Sequence, residues 1–196
     1  HSLATGDVKK AEDFLRKMEA GMKATSCFVK TYYHHMASLL AMHRTDFPSA
    51  IQHAEICLTF CREAGFPFST AIHQYAMANI LLWAGKPDDL PQRIAEIRAI
   101  GMATQSSTCE LFCAVVETLW ATGTQNGRDI EPYLQAVLSL QKKTGFKSIL
   151  YHGFKRTDLL CAKALEAGIE VEYVQDLIRC HGIVPERKNV CLENWP

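Results

Sequence analysis

Cysteine and histidine are the residue types whose spacing in this chain could carry chemistry. His53, Cys57 and Cys61 fall at successive steps of four, on one face of a helix, and Cys109 with Cys113 repeats that step. Thiolate sulfur and imidazole nitrogen together form a donor set suited to zinc. Structural zinc sites are commonly built on paired Cys-x-x-Cys turns, and the sequence contains none. A free cysteine also serves as a compact hydrophobe. Packing is therefore the expected role of these thiols, and no metal or cofactor is expected. His34-His35 would offer a base, and Cys27 a nucleophile, for Cys/His chemistry. Neither stands beside a glycine-rich turn that would hold an oxyanion. The Gly-x-x-x-x-Gly-Lys-Ser/Thr phosphate loop, the Gly-x-Ser-x-Gly elbow and the His-Glu-x-x-His helix are all missing. No catalytic residue is expected, and the reading is non-enzymatic.

Composition narrows the choice further. The 196 residues are 48% hydrophobic and 21% charged, enough to bury a core. Twenty-one basic residues balance 21 acidic ones, whereas a dedicated nucleic-acid binder needs surplus positive charge for phosphate. Apolar runs such as Ile80–Ala84 are far shorter than the roughly 20 residues of a membrane span, and the first ten residues hold no apolar leader block. Eight cysteines in a chain this long do not form the dense framework of a disulfide-stapled secreted domain, so a reducing cytoplasm is expected. Lys155-Arg156 and Arg187-Lys188 read as solvated surface or linker rather than a phosphate grip.

The elements that must position these side chains come from a repeat. A small or polar residue, a turn and an amphipathic helix opened by Asp or Pro recur at Gly6-Asp7, Thr45-Asp46, Gly85-Lys86-Pro87, Thr122-Gly123 and Gly168. Positions 6, 45, 85, 123 and 168 are separated by 39, 40, 38 and 45 residues, the self-similarity of a repeat architecture. Each unit reads as two helices. The helices before the junctions are expected near 26–44, 68–84, 106–122 and 147–167; those after them near 7–22, 48–64, 88–101, 129–144 and 170–181. Val8, Ala11, Phe14, Leu15 and Met18 form one apolar stripe, and Ile51, Ala54, Cys57, Leu58 and Cys61 repeat it. Helical pairs of this kind bury their apolar faces by stacking on neighbours.

This pattern resembles a tetratricopeptide-like array with long repeats. Ala11 and Ala50 follow the turns at Gly6 and Thr45 by five residues, as that pattern asks, and Ser38, Ala41, Ala78, Cys161 and Ala164 resemble its small packing positions. Leu90 and Arg128 depart from the Ala, and Gln125-Asn126-Gly127 is extra. The resemblance implies an all-α, right-handed superhelix of about nine helices over residues 1–182, followed by a linker at 183–196. It also places Cys57 where a small buried residue is wanted.

The C-terminal stretch carries a second resemblance. Leu159-Leu160-Cys161-Ala162-Lys163-Ala164-Leu165-Glu166-Ala167-Gly168-Ile169-Glu170-Val171-Glu172-Tyr173-Val174-Gln175-Asp176-Leu177-Ile178-Arg179, with His181-Gly182-Ile183-Val184-Pro185 and Leu192-Glu193-Asn194-Trp195-Pro196, resembles the end of the repeat array in large multidomain bacterial transcriptional activators (MalT/LuxR-like). That family joins a nucleotide-binding module, a superhelical array and a DNA-binding domain. The resemblance implies a fragment of a longer chain, lying just before a winged-helix DNA-binding domain and sensing an inducer or regulatory protein. No recognition helix with clustered Arg and Lys is evident, so no direct nucleic-acid contact by this fragment is expected. In such arrays the first helix of each pair lines the concave face, which would present Tyr32 and His35, then Tyr75, Asn79 and Trp83, then Glu117 and Trp120. Aromatics with a polar tip suit recognition; packing between repeats is their alternative role. A general protein–protein scaffold and a Cys/His metal-binding module are the competing functions.

Overall fold

A computed structural model describes residues 8–22, 26–124, 130–146, 157–184 and 194–196. Among the described residues there are nine α-helices and no strand: α1 (Val8–Ala20), α2 (Cys27–His43), α3 (Phe47–Ala64), α4 (Pro67–Trp83), α5 (Leu90–Thr104), α6 (Ser107–Thr124), α7 (Glu131–Thr144), α8 (Thr157–Glu166) and α9 (Val171–His181). A 3₁₀ turn at Pro87–Asp89 precedes α5. The protein is all-α, as the hydrophobic spacing predicts. No helix among the described residues is long and apolar enough to cross a membrane.

Local chemistry sets the helix ends. Asp46 caps α3 by accepting a hydrogen bond from the Ser49 backbone N–H at 3.2 Å. Pro48, Pro67, Pro91 and Pro132 sit in the first turns of α3, α4, α5 and α7, where a missing N–H costs nothing. Thr45, Gly65, Gly85, Gln105 and Gly145 adopt left-handed backbone conformations. From Thr45 to Gln105 they follow one another every 20 residues, and Gly145 lies 40 beyond. At α2 and α4 the termination is the same paired bond: Asp46 N–H to Ala41 carbonyl with Thr45 to Met42, and Lys86 to Leu81 with Gly85 to Leu82.

The repeat is more regular in the structure than the junctions alone predict. Helices α2, α4 and α6 open at residues 27, 67 and 107, and α3, α5 and α7 close at 64, 104 and 144, steps of 40 in each case. The core keeps that register: Ala50, Leu90 and Ile130 are buried, as are Ala54, Ile94 and Leu134, then Cys57, Ile97 and Val137. On the other helices Ser38, Ala78 and Thr118, and Ala41, Leu81 and Ala121, do the same. Leu90 occupies the place of the expected Ala, so a larger side chain is accommodated there. Gly123, read as a junction, is instead helical, because α6 continues to Thr124. The expected first part of the helix at 147–167, Arg128 and Gln125-Asn126-Gly127, Lys155-Arg156 and most of the 183–196 linker lie outside the described residues.

Two compact units divide the chain, residues 1–116 and 117–196, the boundary falling within α6. In the first, α1 lies antiparallel to α2: Glu12 pairs with Arg44, and Ala11 and Leu15 pack with Ala37 and Leu40. α2 and α3 are likewise antiparallel, since Cys27 at the start of α2 reaches Glu63 near the end of α3, and His34, further along α2, reaches the earlier His53. In the second unit Thr118 donates to the Tyr133 carbonyl at 3.3 Å, Lys142 pairs with Glu170 at 2.7 Å, and Gln175 donates to the Asn194 carbonyl at 2.8 Å.

Candidate functional site

Inside the first unit, α2, α3 and α4 each contribute two residues one turn apart to a single junction. They are Thr31 and His35 from α2, Cys57 and Cys61 from α3, and Ser69 and His73 from α4. An i,i+4 step keeps both members of each pair on one face. The Cys57 thiol donates to the Thr31 carbonyl at 3.4 Å, and the Cys61 thiol lies 3.9 Å from the Thr31 hydroxyl. Cys61 Sγ is also 3.5 Å from Ser69 Oγ and 3.4 Å from His73 Nδ1. His73 Nδ1 donates to the Ser69 carbonyl at 2.6 Å. His35 meets His73 edge to face, ring centroids 4.8 Å apart. Both sulfurs are shut from solvent, Cys57 and Cys61 each being 1% exposed.

Burial dominates the electrostatics. It pushes the Cys57 thiol far up, with the neighbouring Cys61 adding to the effect. Desolvation, then the nearby His73, lowers His35 to about 4. Burial lowers His73 as well, opposed by its bond to the Ser69 carbonyl. At neutral pH both imidazoles are neutral and the Cys57 thiol keeps its proton.

His53 does not complete the face it was expected to share with Cys57 and Cys61. It turns to His34 instead, Nδ1 to Nδ1 at 3.0 Å, and His34 stacks on Phe60. The third donor beside the thiols is His73, from the next helix, which a single-helix spacing argument does not reach. His34 and His35, adjacent in sequence, therefore serve different helices. Cys27 has its thiol 3.9 Å from the Glu63 carboxylate. Cys109 and Cys113 are buried, with the Cys113 thiol facing the Ile94 carbonyl at 3.7 Å.

The residues expected on a binding face occupy varied environments. Tyr32 is 45% exposed, one turn from the exposed Phe28. Tyr75 stacks on Phe112 with centroids 4.7 Å apart, and Phe68 stacks on the same ring at 6.4 Å. Asn79 is buried, its amide donating to the Tyr75 carbonyl at 2.8 Å, while Trp83 is half-buried. Glu117 and Trp120, both half-buried, belong to the second unit.

A second polar cluster joins α3, α4 and α5. Arg93 donates to Glu55 at 2.6 Å and to Gln74 at 3.3 Å; the fully buried Gln74 amide bonds Glu96, which Arg62 also reaches at 2.9 Å. Every partner is a side chain of the same unit, the arrangement of a structural clamp. No protein-family model, curated protein or solved structure matches this chain.

Proposed function

We propose that this chain is a non-enzymatic, tetratricopeptide-like helical-repeat domain that binds an inducer or partner protein in the bacterial cytoplasm. On this reading it relays that binding to the nucleotide-binding and DNA-binding modules of a transcriptional regulator. The observation that carries the proposal is the register of 40 residues, kept by helix openings, helix ends and buried positions alike. Such a register belongs to architectures whose units stack on their neighbours and offer an extended face to a ligand. The resemblance of the C-terminal stretch to MalT/LuxR-like activators supplies the regulatory part. Phe28 and Tyr32 on α2, with Phe68 at the start of α4, expose aromatic area of the kind that recognition uses. The Cys61–His73 contact does not favour nucleophilic catalysis, because the sulfur is sealed from solvent and Nδ1 already gives its proton to a carbonyl.

Relay requires that the ligand bind two packing states with different affinity. A melting-temperature screen against sugars, small metabolites and candidate regulatory proteins tests the reading. A stabilising ligand whose effect is weakened by Tyr32→Ala supports it. Indifference to every compound and partner would favour a passive spacer.

A further inference from the structure

We propose that the junction of α2, α3 and α4 is a binding site for one thiophilic metal ion, Zn²⁺ or Cu⁺, held by Cys57 Sγ, Cys61 Sγ and a ring nitrogen of His73. The three donor atoms lie within 4.8 Å of one another. Zinc–sulfur and zinc–nitrogen bonds of about 2.3 and 2.0 Å at a tetrahedral angle put S and N about 3.5 Å apart. The Cys61 Sγ to His73 Nδ1 distance is 3.4 Å, close to that edge before any metal enters. Two thiolates and an imidazole suit soft, closed-shell ions rather than oxygen-seeking ones. Ser69 Oγ and the Thr31 hydroxyl lie 3.5 and 3.9 Å from Cys61 Sγ, and water would supply the fourth ligand that zinc takes. Cu⁺ is served by three donors.

The repeat itself argues that these residues are not needed for packing. At the places 40 residues after Cys57 and Cys61 the chain carries Ile97 and Gly101, and 40 further on Val137 and Gln141, all in the buried register. Helices thus stack at this register without a thiol in either of those repeats. Among the described residues, this junction is where the two cysteines of α3 meet a histidine from α4. His73 Nδ1 now donates to the Ser69 carbonyl; with a metal on that nitrogen the ring proton moves to Nε2 and the imidazole stays neutral. Binding also releases one proton from each thiol to solvent. His35, edge-on to His73, buttresses the ring from α2. The ion would therefore pin α3 to α4, and its gain or loss would alter how the first unit packs.

The reduced 196-residue chain is titrated with Zn²⁺, and separately with Cu⁺, against a competing chromophoric chelator; Co²⁺ serves as an optical reporter of thiolate ligation. One equivalent bound, sulfur-to-cobalt charge transfer, a raised Tm and proton release on binding are expected. Cys61→Ala and His73→Gln should each abolish stoichiometric binding, while Cys113→Ala and His53→Gln leave it intact. Far-UV circular dichroism checks that each variant stays helical, and proton release from the unmodified chain gives a readout independent of any variant. Binding of either ion alone supports the site. Failure of the unmodified chain to bind either ion, or equal binding by the helical Cys61→Ala and His73→Gln variants, would overturn the proposal.

Discussion

His34 and His53 face one another across α2 and α3, Nδ1 to Nδ1 at 3.0 Å. The contact is favourable only while one nitrogen carries a proton and the other does not. Burial lowers the pKa of both rings, and each lies beside other charges: His53 acts on His34, while Asp46 and Glu19 raise His53 against the desolvation. Lys30 stands over Phe60, the ring on which His34 stacks.

The sign of the pH dependence follows from those directions. A histidine with a lowered folded pKa takes up its proton later than the unfolded chain does. Stability is then full above about pH 6.5 and falls as the pH drops from there toward the folded values. The Tm should decline as the pH falls below about 6.5, with His35 and His73, lowered by burial as well, adding to the same decline. His53→Gln removes one of the two titrating rings and relieves His34 of its charged neighbour, so its decline should be shallower. Thermal melts of both chains across that range make the comparison, and parallel curves would count against the pair.

Gly101 makes a different kind of demand. A methyl group placed on its Cα would stand 2.8 Å from Cys109 Cβ on α6, an atom attached directly to backbone and unable to swing away. Alanine gains about 1 kcal/mol of helix propensity over glycine, but overpacking a tight core costs roughly 1–3 kcal/mol. Gly101→Ala is expected to destabilise the protein by about 1 kcal/mol. Cys109→Gly in the same chain should recover part of the loss, so urea unfolding of the four chains of a double-mutant cycle should give a favourable coupling.

Gln105 ends α5 at φ 51°, where its counterparts 40 residues before and after are Gly65 and Gly145. A side chain in that left-handed region costs of order 1–2 kcal/mol, and glycine returns part of the gain through a more flexible unfolded chain. Gln105→Gly should therefore stabilise by about 0.5 kcal/mol. Gly145→Gln should do the reverse, and the pair of melting curves decides whether the period governs the turns.

The helices were legible because Asp, Pro and Gly mark their ends and because apolar residues recur every three or four positions. α3, expected at 48–64, is found at Phe47–Ala64, and α9, expected at 170–181, is found at Val171–His181. Gly123 misled because one glycine within a favourable helical stretch costs little, and α6 continues through it. The thiol–imidazole junction was only half visible. Cys57 and Cys61 share a helix and so appear as a spacing, whereas His73 joins them through the antiparallel packing of α4, a relation no local period encodes. Left-handed Gln105 and Glu170 escaped for a related reason: neither residue type advertises that conformation.

Arg93 provides the test of whether the clamp on α3, α4 and α5 is structural. Its side chain is 12% exposed, and it donates to Glu55 at 2.6 Å and to the Gln74 amide oxygen at 3.3 Å. Gln74 has no access to water. Arg93→Ala removes the donor and leaves that oxygen buried, for which the usual cost is about 1–3 kcal/mol. Glu55 is 46% exposed and can turn to solvent, so Glu55→Ala should cost under about 1 kcal/mol. Replacing Gln74 together with Arg93 by Leu and Met removes both the unmet acceptor and its donor. That double variant should therefore be more stable than Arg93→Ala alone, although Glu96 then loses one partner. Denaturant unfolding of these chains should rank Arg93→Ala lowest. A Glu55→Ala loss as large as that of Arg93→Ala would mean that the ion pair, rather than the buried amide, carries the clamp.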